Sequence, residues 1–364
     1  MISVVIGLGF GDEGKGLVTE YLCSNPGTLV VRYSGGQQAG HTVFKDKIRH
    51  IFSNFGSGTL SGTPTYWSKF CTVDPIGLMN ELHILLKKGV LPTLFIHKKC
   101  PITTPYDTKH NQICDKNNGT CGVGVGRTIV REENHYSLLV GDILFPSVFK
   151  MKLDLIKYYY RIHEKISLNR FNECIEGIKN NHIIFVDEKP DCIHTVFEGS
   201  QGLLLDQNIG FFPHVTHGSV GLKNIIVRGT DFADMEVYLV TRAYQTRHGK
   251  GPMTNENIPH NILLDKDETN ITNKFQGEFR RSLLDLDLLK YAIDKEYQLK
   301  YVKKTLVITC LDHIINEYRY THKGNIVYCD DEDQFIDQIS SLLGITNILI
   351  SRTPYSSKIE RWTP

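Results

Sequence analysis

Residues 4–22 read VVIGLGFGDEGKGLVTEYL, a stretch that matches two phosphate-binding patterns at once. Three glycines beginning at Gly9 have the spacing of a dinucleotide-binding loop. The same residues match a nucleoside-triphosphate phosphate loop as far as Lys15, but Gly16 then takes the place of the usual Ser or Thr. In both patterns a strand leads through a glycine turn into a helix whose first N–H groups bind an anion. The stretch therefore predicts a strand, an anion-binding turn and a helix that begins near Asp12.

The segment that follows favours the second pattern. A dinucleotide-binding fold needs an acidic residue about 20 positions further on, at the end of the second strand, to bind the ribose hydroxyls. Residues 28–36, TLVVRYSGG, offer Arg32 and no acid there, which weakens this interpretation. The phosphate-loop interpretation keeps Lys15 for phosphate oxygens but lacks the hydroxyl that normally ligates Mg²⁺. Asp12 is the nearest oxygen donor that can replace that hydroxyl.

The composition argues against several classes of protein. Lys and Arg number 41 against 40 Asp and Glu, so no overall positive charge favours nucleic acid or an anionic membrane as a partner. No apolar run reaches the ~18 residues of a membrane span, and the first residues lack the basic region and cleavage site of a signal peptide. Nine scattered cysteines form no C-x-x-C pair, which argues against a zinc site or a disulfide framework. We expect a cytoplasmic globular protein.

Short β-branched runs alternate with amphipathic segments along the chain. The runs are SVVIGL, TLVVRY, TLFIH, HIIFV, TVFEG, VYLVTR, TLVITCLD, NIVYC and ITNILIS. Helical periodicity is found at residues 74–88, 151–166, 283–297 and 331–343. The alternation predicts an α/β fold, a single large domain over residues 1–364 with a mostly parallel central sheet. Long glycine-rich loops, which are typical of functional sites, cover residues 34–42, 53–63, 117–128, 198–221 and 245–257.

Five stretches resemble the adenylosuccinate synthetase family in sequence, order and rough spacing. They are GFGDEGKG, RYSGGQQAGHT, FEGSQGLLLD with FPHVT, AYQTRHGKGP, and GEFRRSLLDLDLL. Each pattern alone is weak, but five in the family's order are specific. The family joins aspartate to C6 of a purine nucleotide at the expense of a nucleoside triphosphate. The resemblance implies a single α/β domain, a homodimer, Mg²⁺ and three substrates: a purine nucleoside monophosphate, ATP or GTP, and L-aspartate.

The residue types suit this chemistry. A 6-oxopurine carbonyl is a poor electrophile, so its activation requires a base at N1 and neutralisation of charge on a transferring phosphoryl group. The resemblance implies that Asp12 is this base and also a Mg²⁺ ligand, with the Gly40 carbonyl completing the metal coordination. It implies that His41 hydrogen-bonds the phosphoryl donor and that Lys15 balances phosphate charge. Gln201 would orient the purine 6-oxygen.

The resemblance implies further contacts to the substrates. The residues implied to contact the nucleotides and their phosphates are Gly11, Glu13, Gly14, Gly16, Thr42, Thr120, Thr216 and Asp312. Aspartate would be bound by Arg280, beside Gly277, because a guanidinium suits the bidentate binding of a carboxylate.

The chain departs from the family pattern at places that bear on substrate choice. Glu278 stands where the family has the first arginine of Gly-Arg-x-Arg-Arg, which reaches the ribose hydroxyls. In the guanine-binding segment Thr-Lys-x-Asp, Asp312 is kept but Cys310 replaces the lysine. The closing Ser-x-Gly-Pro reads SRTP at residues 351–354. These departures predict a substrate without a 2′-hydroxyl, and ATP as the donor.

Two interpretations within the family, and one outside it, stay open. The favoured one resembles the short phage-encoded branch, which condenses aspartate with dGMP using ATP or dATP. The product is 2-amino-2′-deoxy-N6-succinyladenylate for 2-aminoadenine DNA, made in the host cytoplasm. Some members of that branch have serine where this chain has Asp12. The alternative is a short synthetase that acts on IMP with GTP. Outside the family, a phosphate-loop NTPase switch would use Asp187 to hold Mg²⁺ through water. Arg127 and Arg131 are the candidates for an arginine lent across the dimer.

Overall fold

A ten-stranded sheet forms the centre of the molecule. The computed structural model describes residues 1–115, 120–162, 164–181, 183–226, 234–263 and 277–363. In spatial order the strands are β16 (Glu360–Trp362), β15 (Asn347–Ile350), β12 (Lys303–Thr309), β9 (Met235–Arg242), β1 (Ile2–Gly7), β8 (His194–Gly202), β2 (Thr28–Arg32), β5 (Thr65–Trp67), β6 (Leu94–His97) and β7 (Ile183–Val186). Every neighbouring pair is parallel except β15 and β16. The prediction of an α/β fold with a mostly parallel central sheet is confirmed.

Eight helices lie around this sheet in the described part of the chain. They are α1 (Lys15–Leu22), α2 (Pro75–Lys87), α3 (Pro105–Cys114), α4 (Val125–Glu133), α5 (Pro146–Tyr159), α6 (Asn169–Asn180), α7 (Leu286–Lys295) and α8 (Glu332–Leu343). The four segments with helical periodicity are confirmed as α2, α5, α7 and α8. α5 begins five residues earlier than predicted, at a proline, and ends seven residues earlier, shortly before Arg161 with its positive φ of 50°. α7 begins three residues later than predicted because residues 283–285 belong to a strand.

β1 lies between β8 and β9 and is buried on both faces, as its apolar sequence ISVVIG requires in a parallel sheet. Val4 and Ile6 pack into the core formed with α7 and α8. Val5 points the other way and packs against Leu17 and Val18 of α1. The loop after β1 therefore emerges from the middle of the sheet.

Two smaller sheets extend beyond the strand ends. The hairpin of β3 (His41–Lys45) and β4 (Ile48–Phe52) contacts α1. A four-stranded sheet contains β10 (Tyr244–His248), β11 (Phe279–Asp285), β13 (Tyr318–His322) and β14 (Asn325–Cys329). β10 follows β9 almost directly, so the second sheet begins beside the carboxyl edge of the first. That edge is where parallel sheets bind ligands.

No helix in the described ranges is both long enough and apolar enough to span a membrane.

Candidate active site

The loop after β1 is a tight turn that continues to Gly14. Gly11, Asp12 and Gly14 have positive φ angles of 100°, 61° and 95°. These conformations are incompatible with a right-handed helix, so α1 begins at Lys15. The prediction that the helix begins near Asp12 was wrong for this reason. Asp12 instead projects from a left-handed position in the turn.

Glu13 stabilises this turn from inside. Its buried carboxylate accepts hydrogen bonds from the backbone N–H groups of Gly9 (3.1 Å) and Gly11 (2.8 Å). Lys15 donates to the other oxygen at 2.5 Å. A Cβ atom on Gly7 would collide with the same carboxylate, which explains the glycine there. In the chain without ligands, Glu13 therefore compensates the charge of Lys15 and holds the loop in shape.

The absence of Ser or Thr after Lys15 has a steric cause. A Cβ atom on Gly16 would lie 2.7 Å from the Cβ of His41 and 3.0 Å from the hydroxyl of Ser57. The first turn of α1 thus packs directly against the start of β3. The space that a phosphate-loop hydroxyl occupies in other proteins is filled here by the backbone and side chain of His41.

Residues at the end of β9 and in β10 hold the turn at Asp12. The guanidinium of the buried Arg242 donates to the backbone carbonyl of Asp12, and the hydroxyl of Thr246 donates to the Gly11 carbonyl at 2.9 Å. A carboxylate oxygen of Asp12 lies 3.2 Å from Nε2 of His248. Both Thr246 and His248 belong to the stretch AYQTRHGKGP, but their roles here depend on the pairing of distant strands.

His41 is buried and its ring is fixed by Glu198. Nδ1 of His41 lies 2.6 Å from Oε1 of Glu198, which is fully buried on β8. Burial lowers the pKa of His41 and outweighs the opposite effect of Glu198. Burial also opposes ionisation of Glu198, but His41, Arg32 and Ser57 together lower its pKa to about 2. Nδ1 is therefore the protonated nitrogen of a neutral ring, and Nε2 is buried with no hydrogen-bond partner among the described residues.

The other predicted catalytic and metal-binding residues lie at the same edge of the sheet. Gln201, at the end of β8, has a buried side-chain oxygen that no group in the described part of the chain hydrogen-bonds. The following residue, Gly202, has no room for a side chain because the Gly9 carbonyl approaches it closely. Gly40 is exposed immediately before His41. Neighbouring elements around one loop thus contribute five of the predicted residues: Asp12, Lys15, Gly40, His41 and Gln201. Thr42 follows His41 on β3.

The segments predicted to bind the donor base are neighbours. Leu311 N–H donates to the Ser351 carbonyl (3.3 Å), and Ser351 N–H donates to the Ile308 carbonyl (2.9 Å). Residues 310–312 and 351–354 therefore form adjoining turns at the ends of β12 and β15, and Asp312 lies in the first of them. The hydroxyl of Thr309 donates to the Glu13 carbonyl at 2.8 Å and connects these turns to the phosphate loop.

Thr216 and Thr120 lie in separate loops. Thr216 N–H donates to the Leu205 carbonyl (2.7 Å), and the buried Asp206 holds the same loop through the N–H of Val220 (2.7 Å). The Thr120 hydroxyl donates to the side chain of Asn111 in α3 (3.1 Å). Within the described residues no hydrogen bond joins the two threonines.

Arg280 lies beside a second arginine that sequence reasoning missed. β10 and β11 pair Arg247 with Arg280, and Arg247 also covers the ring of Phe10 in the phosphate loop at 4.3 Å. Burial and, to a smaller extent, the charge of Arg280 lower the pKa of Arg247 to about 10. Arg280 donates to both carboxylate oxygens of Glu256 at 3.0 Å. Gly277, with a φ of 97°, lies near Gly249.

Other candidate residues lie elsewhere. Arg131 is fully buried against Asp107 (2.9 Å) and cannot reach another copy of the chain. Arg127 is bound by Asp115 through Nε at 2.6 Å. Asp187 is an exposed residue paired with Lys98, following the edge strand β7, five strands from β1. The NTPase-switch interpretation thereby loses its Mg²⁺ ligand.

Comparison with known proteins agrees with this arrangement. A family model described as adenylosuccinate synthetase matches residues 4–341. The chain is 32% identical to the adenylosuccinate synthetase of Thermoanaerobacter sp. (strain X514) over 321 residues, which is 80% of this chain and 74% of that protein. It is 29% identical to that of Thermoplasma acidophilum over 321 residues, 80% of this chain and 72% of the relative.

Two solved structures share the fold. One is a fully ligated adenylosuccinate synthetase from Plasmodium falciparum, with a TM-score of 0.77, 17% identity and 99% of both chains covered. The other is the succinoaminodeoxyadenylate synthetase of cyanophage S-2L bound to dGMP and dATP, with a TM-score of 0.70, 16% identity and coverage of 99% of this chain and 95% of that one. The family model and the curated relatives establish more than the fold. The chain belongs to the adenylosuccinate synthetase family of carbon–nitrogen ligases, which consume a nucleoside triphosphate.

Proposed function

We propose that this chain condenses L-aspartate with C6 of a 6-oxopurine nucleotide, as one domain over residues 1–364 that works as a homodimer. The observation that carries the proposal is the convergence of Asp12, Lys15, His41 and Gln201 at the carboxyl edge of β1 and β8. A second supporting observation is the pair Arg247 and Arg280 next to Phe10, because two adjacent guanidinium groups favour an anion such as a carboxylate.

The first step transfers a phosphoryl group. The purine 6-oxygen attacks the γ-phosphorus of the triphosphate, the bond to the departing diphosphate breaks, and the N1 proton passes to the carboxylate of Asp12. Lys15 compensates the charge on the phosphate oxygens, His41 donates to one of them once its Nε2 also carries a proton, and Gln201 orients the 6-oxygen. In the second step Arg280 holds the carboxylate of aspartate while its neutral amine attacks C6, the C6–O bond breaks, and inorganic phosphate leaves with the proton that the amine loses.

The residues around Asp12 suit a Mg²⁺ ion that arrives with the triphosphate. The Asp12 carboxylate and the exposed Gly40 carbonyl are hard oxygen donors, which Mg²⁺ prefers. No cluster of three or more His, Cys, Asp or Glu able to hold a metal is found among the described residues, so phosphate oxygens would supply further ligands. When bound, the ion would neutralise charge on the phosphates during transfer. Asp12 and Gly40 would hold it.

The favoured substrates are dGMP and ATP or dATP. The exposed Glu278 stands where the family has the arginine that binds the ribose hydroxyls, so that guanidinium contact is missing here. Cys310 and Thr353 replace the lysine and glycine of the guanine-binding segments, and they lie on adjoining turns. The cyanophage protein that shares the fold was solved with dGMP and dATP.

The alternative is IMP with GTP. It is favoured by Asp312, which keeps the carboxylate that accepts from a guanine base, and it would make the chain a short version of the common synthetase.

A matrix of substrates tests both the ligase assignment and the choice of substrates. IMP, dIMP, GMP and dGMP are each incubated with ATP, dATP or GTP, together with L-aspartate and Mg²⁺, and the succinylated product is measured by mass. We expect product from dGMP with ATP or dATP. Product from IMP with GTP alone would overturn the substrate assignment. Phosphate release that needs neither aspartate nor a purine monophosphate would overturn the ligase assignment.

A further inference from the structure

Two turns at the carboxyl edge of the central sheet contain a non-glycine residue in the left-handed conformation. One is the phosphate loop after β1, where Asp12 has a φ of 61°. The other is the donor-base turn, residues 310–313 after β12, where Cys310 has a φ of 58°. Non-glycine residues adopt this conformation rarely and keep it only where surrounding contacts hold it. Other parts of the fold must therefore hold both turns in shape.

Arg242, the last residue of β9, lies between these two turns. It is paired in register with Thr309 of β12, the residue that precedes Cys310. Its Nε donates to the backbone carbonyl of Asp12, and its Nη1 donates to the hydroxyl of Tyr244 at 2.6 Å. A guanidinium carries its donors in a rigid planar fork. The two hydrogen bonds thus fix the Asp12 carbonyl and the Tyr244 hydroxyl relative to each other.

Tyr244 continues the hydrogen bonding into the donor-base turn. Its hydroxyl lies 2.8 Å from Nδ1 of His313, and the two rings are stacked with their centroids 5.9 Å apart. Because arginine can only donate, the Tyr244 hydroxyl accepts from Arg242 and has its own proton available for His313. The backbone N–H of His313 donates to the Cys310 carbonyl at 3.2 Å, which anchors the ring in that turn. An unbroken chain of hydrogen bonds therefore connects the phosphate loop to the donor-base turn.

This chain of hydrogen bonds joins the two ends of the proposed triphosphate site, because the donor-base turn would contact the base and the phosphate loop would contact the phosphates. We infer that Arg242 and Tyr244 are positioning residues that hold the two turns at the distance that one bound triphosphate spans, so that its γ-phosphate arrives beside Asp12. Arg242 acts through the Asp12 carbonyl, and Tyr244 acts through His313. The inference rests on the proposed function and extends it to the geometry of the donor.

Ligand binding tests the inference without catalysis. ATP, GTP and inorganic tripolyphosphate are each titrated with Mg²⁺ by calorimetry, in the absence of aspartate and of a purine monophosphate. Tyr244→Phe removes only the hydroxyl, so it should weaken binding of the nucleotide that the wild type binds by about 3- to 10-fold. Tripolyphosphate contacts the phosphate loop alone, so its affinity should stay within about twofold. The loss stays limited because the Thr309 hydroxyl still donates to the Glu13 carbonyl.

Tyr320→Phe is the matched control for this titration. Tyr320 of β13 is 2% exposed, as is Tyr244, and its hydroxyl donates to Gln338 at 2.6 Å. Its removal should leave all three affinities unchanged. Equal weakening of the nucleotide and of tripolyphosphate in Tyr244→Phe would indicate general damage to the phosphate loop and would overturn the inference, as would no weakening at all. A wild-type chain that binds neither nucleotide would overturn the proposed function and the inference together.

Kinetics of the condensation provides the second readout. Arg242→Lys keeps the positive charge but loses the planar fork, so kcat should fall about 10- to 100-fold while the KM for aspartate stays within about twofold. Adding Tyr244→Phe to this variant should slow it little further, because both changes break the same chain of hydrogen bonds. A normal kcat in Arg242→Lys would contradict the inference. Losses that multiply in the double variant would show that the two residues act independently, which also overturns it.

Discussion

Gly16 and His41 are in direct contact: a Cβ atom on Gly16 would lie 2.7 Å from the Cβ of His41. The loop therefore differs from other phosphate loops because the start of β3 occupies the place of the missing hydroxyl. His41 can lie beside the loop because its neighbour Gly16 has no side chain.

Restoring the usual Ser at position 16 should disrupt the site. We expect Gly16→Ser to lower stability by about 1–3 kcal/mol, the usual cost of overpacking, and to lower kcat by displacing His41. Gly126→Ser is the matched control, because Gly126 is exposed in α4 with open space around it. That change should be neutral or stabilise by ~0.5 kcal/mol. Thermal unfolding and condensation rates measure both effects, and equal behaviour of the two variants would contradict the steric explanation.

The carboxylate of Asp12 should be essential. Asp12→Asn keeps the shape of the side chain but removes the base, so we expect kcat to fall about 10²-fold or more. The matched control is Asp187→Asn, an exposed aspartate following the far edge of the sheet, which should keep wild-type activity. A near-normal rate in Asp12→Asn would show that the proton is taken by another group.

Glu256 should compete with the substrate aspartate. Both oxygens of its carboxylate accept from Nη1 of Arg280 at 3.0 Å, and this is the guanidinium proposed to bind the substrate carboxylate. Glu256→Gln should therefore lower KM for aspartate a few-fold with little change in kcat, whereas Arg280→Gln should raise that KM at least about tenfold. Glu317→Gln, which loosens a surface ion pair with Arg319, is the control and should change neither constant. An unchanged KM in both Glu256→Gln and Arg280→Gln would move the aspartate site elsewhere.

The chain should lose stability on acidification in two steps. The pKa of His41 is lowered by burial, so the unfolded chain takes up this proton more readily and stability falls as pH drops below about 6.5. Glu198 has a pKa of about 2 against an ordinary 4.5, so its contribution is present above pH 4.5 and is lost toward pH 2. Melting temperatures measured between pH 8 and pH 3 test whether stability falls with decreasing pH in both ranges. His41→Gln should flatten the first part of this dependence, and an unchanged slope there would contradict the assignment.

Substitutions at two positions should change which nucleoside triphosphate the protein prefers as donor. Cys310→Lys with Thr353→Gly restores the family pattern on the adjoining turns after β12 and β15, so we expect the ratio of GTP to ATP turnover to rise about tenfold or more. This change in donor preference is measured as the ratio of the kcat/KM values for GTP and ATP. Cys329→Lys, on a strand of the second sheet, is the control. A ratio that stays constant in the double variant would place donor recognition outside these turns.

Local sequence patterns were enough to predict much of the fold. Each of the nine β-branched runs contains a strand, and a turn with positive φ at Gly11 and Gly14 joins β1 to α1 as the glycines indicated. Features that depend on tertiary contacts were beyond such patterns. The left-handed angle at Asp12 depends on Arg242, which is 230 residues away. Glu198 was part of a recognised stretch, but its contact with His41 spans 157 residues and arises from strand order.

Strand order also determines when the site can form during synthesis. β1 is made first, yet its two neighbours in the sheet, β8 and β9, follow about 190 and 230 residues later. The hydrogen bond from Thr309 to Glu13 closes only after a further long stretch of chain has been made. A nascent chain that has just left the ribosome with its phosphate loop therefore carries an unpaired apolar strand and no nucleotide site. Contacts of such high sequence separation make folding slow and leave that strand open to aggregation. The strand of the central sheet that is synthesised before the others therefore waits for partners made much later before the loop that follows it can form a site.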